Sequence, residues 1–159
     1  METTTGSALQ HRNVSTFLEA DHRRLDTILQ QADHLLGQDE HQEASGWLSQ
    51  LSAGLGWHIN VQETVLFPMM ARAGGLEGPL SLMRDEHREI RRLIQDCERH
   101  VARGRGGAAG QTLSQLALAL EAHRRKEELI YPLADQLAGS DRERDALVRQ
   151  MEQARPAPH

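Results

Sequence analysis

Aromatic residues are scarce in this chain of 159 residues, which has one Tyr, two Phe and two Trp. Strands are enriched in aromatic and β-branched residues, whereas Leu, Ala and Met are good helix formers. A chain of this length is long enough for one domain with a substantial core. That core must be built mainly from Leu, Ala, Ile, Val and Met. We therefore expect a single all-α domain.

Cysteine is nearly absent, and the chain has neither long apolar runs nor an excess of positive charge. The single cysteine, Cys97, excludes an internal disulfide and fits a reducing compartment. No apolar run approaches the roughly 20 residues of a membrane-spanning helix, and the first residues lack the basic and apolar regions of a signal peptide. The net charge of −5, with interspersed signs, argues against nucleic acid as a partner. We expect a cytoplasmic protein that binds neither nucleic acid nor membranes, and the oligomeric state stays open.

Hydrophobic periodicity and capping signals predict four long helices and a short fifth one. The predicted helices cover residues 16–36, 40–71, 79–103, 111–138 and 141–153. In domain terms, we expect a flexible N-terminus at 1–14, a four-helix bundle at 15–138, a short C-terminal helix at 139–153 and a disordered tail at 154–159.

Local signals predict where several of these helices begin and end. Thr16 and Ser140 each precede a glutamate at the spacing of a capping box, and Asp39 is the predicted N-cap of the second helix. Glycines at 104–110 predict a flexible linker. Pro68 and Pro132 should each kink or end their helices.

Four histidines recur at one interval. His22 and His58 are 36 residues apart, as are His87 and His123, and the second pair follows the first by 65 residues. The surrounding sequence repeats inexactly as well. Such a repeat of a helical hairpin, with one imidazole per helix, indicates two halves that close around one metal site.

The same histidines lie on the apolar stripes of their predicted helices, where residues recur at steps of three and four. Gln62 and Glu127 share those stripes. A single histidine on such a stripe is usually a core residue with one hydrogen bond. Four imidazoles and a carboxylate are costly to bury together without a cation. Imidazole and carboxylate suit iron, copper and zinc, so the pattern predicts a metal site.

Residues 17–137 resemble the hemerythrin-like (HHE cation-binding) domain family. The motifs that carry the resemblance are Asp21-His22, His58 with Gln62-Glu63 and Leu66-Phe67-Pro68, Glu86-His87, and His123 with Glu127-Glu128 before Tyr131-Pro132. The family's fold is an up-down-up-down four-helix bundle, and its site is typically a non-heme di-iron centre. The resemblance implies that His22, His58, His87 and His123 are ligands and that Glu127 bridges two irons.

The chain departs from the family pattern at two positions. Met83 stands where the classical oxygen carriers have a further histidine on the third helix. Gln62 stands where the family has a bridging glutamate on the second helix. Glu63 is next to it, but one residue turns an α-helix by about 100° away from the stripe. A π-bulge between His58 and Glu63 would bring Glu63 into the site, and the sequence leaves both residues as candidates.

The resemblance implies a non-heme iron protein of the di-iron type that binds or reacts with O₂, peroxide or nitric oxide, or senses or holds iron. Zinc or a single metal ion is the alternative cofactor. The main competing hypothesis is a degenerate bundle, metal-free or with one metal, that acts as a binding or scaffold module. Gln62 supports this hypothesis. A ferritin-like iron oxidase ranks third because that fold uses Glu-x-x-His motifs on two helices. Whether the protein is an enzyme stays open.

Overall fold

The structure is a computed structural model, and it describes residues 11–155. Every regular element in that range is helical. The α-helices are α1 (Val14–Gly37), α2 (His41–Val61), α3 (Phe67–Ala71), α4 (Glu77–Ala102), α5 (Gly106–Ala138) and α6 (Asp141–Gln153), and a π-helical turn (Gln62–Leu66) joins α2 to α3. None of the described helices is both long and apolar enough to cross a membrane.

The four long helices form a closed bundle in which each packs against two neighbours. Helix α1 packs on α2 and α5, and α4 packs on the other side of the same two helices. Short connections make successive long helices antiparallel neighbours, as in an up-down-up-down bundle. Helix α6 packs against α1 and the π-helical turn. The predicted all-α bundle with a short C-terminal helix is therefore confirmed.

A polar layer divides the core of the bundle into two apolar clusters. One cluster includes Leu25 and Leu120 and extends towards the end where α1 stops, and the other includes Leu18 and Tyr131 and extends under α6. The buried polar side chains are Asp21, His58, Gln62, His87, Thr112, His123 and Glu127, and all of them except Thr112 belong to this layer. Apolar packing thus encloses the polar layer on both sides.

The first helix begins two residues earlier than predicted. The side chain of Asn13 accepts a hydrogen bond from the Thr16 amide at 2.8 Å, so Asn13 is the N-cap and the predicted capping box of Thr16 is wrong. Asp135 accepts further hydrogen bonds from the amides of Val14 and Ser15. Most of the predicted flexible N-terminus (1–10) and disordered tail (156–159) lies outside the described residues.

The starts of α2 and α5 also differ from the predictions. Asp39 has a positive φ of 57° and does not cap α2, which begins at His41. The predicted linker at 104–110 is helical from Gly106 onwards. A Cβ atom at Gly106 would clash with the His41 imidazole. Glycine therefore serves here to let α5 begin against the start of α2, and not to make a flexible link.

The two prolines within the predicted helices behave differently. Pro68 lies in the first turn of α3, just after the π-helical turn, where its missing N–H is tolerated. Pro132 lies inside α5, which continues to Ala138, so the helix does not end there. At the last helix the prediction is confirmed, because Ser140 Oγ accepts a hydrogen bond from the Glu143 amide at 3.1 Å.

Candidate metal centre

The four repeated histidines meet in the polar layer, each from a different long helix. The rings of His22 and His58 have centroids 4.9 Å apart, and those of His87 and His123 are 4.8 Å apart. His58, His87 and His123 are almost completely buried, whereas the His22 side chain keeps 14 % of its exposure. The two pairs are those of the sequence repeat, so each helical hairpin contributes one pair.

Glu127 lies between the two pairs and is 1 % exposed. Its Oε1 is 2.8 Å from His22 Nε2, and its Oε2 is 3.4 Å from the Nε2 atoms of both His58 and His123. A helical spacing of four residues places Glu127 and His123 on one face of α5. Oε1 is thus directed to the first half of the bundle, whereas Oε2 lies between the two halves.

Two groups of side chains are close enough to hold a cation each, and they share Glu127. The first group is His22, His58 and Glu127, and the second is His87, His123 and Glu127. Within each group the ligand atoms lie within 4.8 Å of one another. Donors that bind one ion at about 2.1 Å lie roughly 3 to 3.4 Å apart, so small inward movements of the rings would complete either group.

Unpartnered nitrogen atoms show that this layer suits a cation. The Nε2 atoms of His87 and His123 are buried and have no hydrogen-bond partner. His123 Nε2 is within ion-pair distance of Glu127 but outside hydrogen-bonding geometry. Buried polar atoms without partners are costly and rare in folded proteins. A metal ion bound between these rings would use both lone pairs.

Carboxylates behind the rings orient three of the four histidines. The pairs of Nδ1 and carboxylate oxygen are His58 with Asp21 at 2.8 Å, His87 with Glu63 at 2.6 Å and His123 with Glu86 at 2.7 Å. A neutral ring that donates its Nδ1 proton in this way presents the lone pair of Nε2 to the centre. Metal-binding histidines are held by the same arrangement, which fixes the tautomer and raises ligand basicity.

The sequence contained a signal for two of these outer carboxylates. Asp21 and Glu86 each precede a repeated histidine, His22 and His87. Each acidic side chain contacts the histidine of the next helix in its hairpin and not its neighbour in sequence. Asp21 contacts His58 and Glu86 contacts His123, each 37 residues later. The acidic-His dipeptides are motifs of the sequence, but the role of their acidic residues depends on the packing of neighbouring helices and does not follow from the motifs alone.

The electrostatics differ between the two halves. Burial lowers the pKa of His58, but its hydrogen bonds to Asp21 and Glu127 outweigh this and raise the pKa to about 9. Burial dominates at His87 and lowers its pKa to about 4. Burial opposes ionisation of Glu127, yet its hydrogen bonds to the histidines hold the pKa well below the usual value. At neutral pH in the absence of metal, the His87 ring is therefore neutral and the His58 ring is protonated.

Gln62 and Glu63 occupy different places. Gln62 is fully buried in the layer, with its Nε2 2.6 Å from Glu127 Oε2 and 2.6 Å from the Tyr131 hydroxyl. Glu63 is partly exposed, contacts His87 from behind, and belongs to neither metal-capable group. A π-helical turn does occur, but it begins at Gln62, directly after the α-helix that holds His58, and it leaves Glu63 outside both metal-capable groups. Gln62 thus keeps the α-helical spacing of four from His58.

Sequence intervals explain the π-helical turn. Pro68 follows His58 by ten residues, whereas Pro132 follows His123 by nine. The first hairpin therefore carries one extra residue, and a π-turn accommodates one such insertion without breaking the helix. Phe67 and Tyr131, which precede the two prolines, become equivalent positions. Tyr131, whose hydroxyl enters the layer, was not among the predicted site residues, and this difference in interval is the signal that leads to it.

A small cavity of about 10 Å³ opens beside the histidines. Its apolar lining residues are Leu25, Leu55, Ile59, Ile90 and Leu120, and Arg124 is the cationic residue of its wall. A space of this size holds about one water molecule. Leu25 and Ile90 thus help to keep water from the site, whereas Val65 and Ile130 line surface grooves elsewhere.

Comparison with known proteins agrees with this arrangement. The family model described as the Hemerythrin HHE cation binding domain matches residues 13–134, which include both histidine pairs and Glu127. No curated protein and no solved structure matches the chain. The match covers most of the sequence and all four long helices of the bundle, so the chain belongs to the hemerythrin HHE cation-binding domain family.

Proposed function

We propose that this protein binds two iron ions, one in each histidine group, with Glu127 as their shared ligand. The observation that carries the proposal is the convergence of both histidine pairs on one buried carboxylate. The unpartnered Nε2 atoms of His87 and His123 support it, because a bound cation satisfies both. Imidazole with carboxylate is a donor set that iron accepts well.

The outer carboxylates support a highly charged centre. Glu127 is the only anionic side chain within the two groups. Asp21, Glu63 and Glu86 lie one hydrogen bond further out and add three negative charges. These charges offset part of the charge of two cations and increase the basicity of the rings. The layer therefore compensates for a ligand set that is poor in carboxylates.

We further propose that the centre binds or reacts with O₂, peroxide or nitric oxide. Bound iron supplies open coordination positions and a redox couple for such ligands. The cavity beside the rings has room for a molecule of about the size of water, and its apolar walls exclude bulk water and larger substrates. We place this activity in the cytoplasm, because Cys97 is a free, buried thiol that fits a reducing compartment.

Metal analysis after anaerobic loading with ferrous iron and desalting tests the proposal. We expect about two irons per chain. Glu127→Gln should lose at least one of them, because the shared ligand is lost. Glu128→Gln is the matched control, since the neighbouring side chain is exposed and belongs to neither group. A wild-type protein without iron, or a Glu127→Gln variant that keeps both ions, would contradict the proposal.

The identity of the ligand needs a second measurement. The iron-loaded ferrous protein should change its absorption spectrum on exposure to nitric oxide, O₂ or peroxide, and the apo protein should not. If zinc displaces iron from the purified protein in competition, the ligand set is retained but the redox function is not. An iron-loaded protein that is indifferent to all three small molecules would favour a role in holding iron.

A metal-free scaffold is the second candidate, and Gln62 favours it. Its amide donates to Glu127 and to the Tyr131 hydroxyl, so part of the layer is hydrogen-bonded without any cation. Thermal unfolding separates the two candidates, because metal bound only by the folded state raises the melting temperature. Equal melting temperatures with and without metal would favour the scaffold.

A further inference from the structure

We propose that the hydroxyl oxygen of Tyr131 is a metal ligand in the group formed by His22, His58 and Glu127. This inference rests on the proposed iron centre and makes its two halves unequal. The first half has four donors, and the second, formed by His87, His123 and Glu127, has three.

The spacing of the donor atoms supports this assignment. The Tyr131 oxygen is 3.2 Å from His22 Nε2 and 3.2 Å from His58 Nε2. Donors that share one ion at about 2.1 Å are expected roughly 3 to 3.4 Å apart. The hydroxyl therefore has the separation from both imidazoles that a further ligand of the same ion requires. Tyr131 is also 1 % exposed, so its oxygen is directed into the layer and not to solvent.

Gln62 gives the phenol a chemical reason to bind. The neutral amide leaves this half one negative charge short of a site with a second carboxylate. A bound phenolate supplies that charge, and the phenol proton is lost to solvent when the bond to the metal forms. Gln62 Nε2 lies 2.6 Å from the Tyr131 oxygen and donates to it. Hydrogen bonds to an ionised acceptor are stronger than neutral ones, so Gln62 is a positioning residue for Tyr131.

The other half of the repeat lacks this donor. Phe67 is the equivalent of Tyr131, and its ring stacks on His87 with centroids 5.8 Å apart and planes 4° apart. Phe67 has no hydroxyl, so the half formed by His87 and His123 keeps one more open position. We expect the first iron to fill the Tyr131 half and the small ligand to bind in the Phe67 half.

Resonance Raman and visible absorption spectra of the ferric protein test the assignment. Tyr131 is the only tyrosine of the chain, so any tyrosinate-to-iron charge transfer must come from it. We expect a visible band whose excitation enhances phenolate ring vibrations. Tyr131→Phe should lose the band and these vibrations while the other half still binds iron. Phe67→Leu is the matched control at the equivalent position and should keep both.

The outcomes separate this inference from the proposed function. Bound iron without phenolate vibrations in the wild-type protein would overturn the assignment and leave the iron centre intact. A Tyr131→Phe variant that keeps the band would overturn it as well. Absence of bound iron would overturn both proposals. If Tyr131→Phe does not fold, the Raman spectrum of the wild-type protein still decides, because it needs no variant.

Discussion

Replacing Gln62 with glutamate should affect the metal-free and the metal-loaded protein in opposite directions. In the metal-free protein the new carboxylate would lie where the amide now donates to Glu127 over 2.6 Å, with both side chains buried. Two carboxylates at this distance share one proton. Keeping a carboxyl with an ordinary pKa of about 4.3 protonated at pH 7 costs roughly 3.7 kcal/mol.

The net loss should be somewhat smaller than this figure. His58 Nε2 is 3.1 Å from the Gln62 amide nitrogen, and its positive charge would attract the new carboxylate. We expect the metal-free variant to be destabilised by about 2 to 3.5 kcal/mol, which lowers the melting temperature by roughly 4 to 14 °C in a domain of this size. Calorimetry of the chelator-treated protein measures this change.

In the metal-loaded protein Gln62→Glu should have the opposite, stabilising effect. Two anionic side chains between the cations offset charge that an amide cannot, so the second iron should bind more tightly. An iron titration of Gln62→Glu beside the wild-type protein measures this. Gln50→Glu is the matched control, because it adds the same charge at an exposed position of α2 outside both groups. A metal-free Gln62→Glu variant as stable as the wild type, or one with unchanged iron affinity, would refute the reasoning.

Three further predictions concern protons, metal and backbone packing. Metal binding at pH 7 should release a proton from His58, whose pKa is about 9 without metal, and none from His87, whose pKa is about 4. Heats of metal binding that do not depend on the ionisation enthalpy of the buffer would contradict this prediction. The same pKa shifts make the folding stability of the metal-free protein depend on pH. The stability that the neutral His87 contributes is present above about pH 6.5 and is lost as the pH falls towards 4. The stability that the protonated His58 contributes is present below about pH 6.5 and is lost as the pH rises through 9. Denaturant unfolding across this range should therefore show a maximum, and a monotonic profile would count against it. Gly106→Ala should destabilise the protein more than Gly107→Ala, because its methyl group would displace the His41 imidazole whereas Gly107 faces open space. Thermal unfolding of the two variants measures the difference, and equal melting temperatures would contradict it.

The bundle and the positions of its histidines could be predicted because both depend on a local period. His22, His58, His87 and His123 each lie on an apolar stripe, and the stripe of a helix faces the core whatever its partners are. Glu127 follows from the same period. These residues needed no knowledge of which helices are neighbours, and the structure brings all five together.

The remaining features depend on contacts between distant parts of the chain. The pairing of Asp21 with His58 requires two particular helices to be adjacent at one height. His41 from α2 approaches the start of α5 at Gly106, whereas a glycine-rich segment alone is typical of a linker. The place of Tyr131 in the layer depends on one extra residue in the other hairpin, which only a comparison of the two repeats reveals.

A Mössbauer spectrum of the protein loaded with iron-57 tests the central claim most directly, because it reports both the number of iron environments and their magnetic coupling. Glu127 shared between His22 and His58 on one side and His87 and His123 on the other predicts a coupled pair of ferric ions. The unequal halves predict two distinct environments in equal amounts, with no net magnetism at low temperature. Magnetically isolated ferric ions, or no iron-57 bound to the protein, would contradict the account.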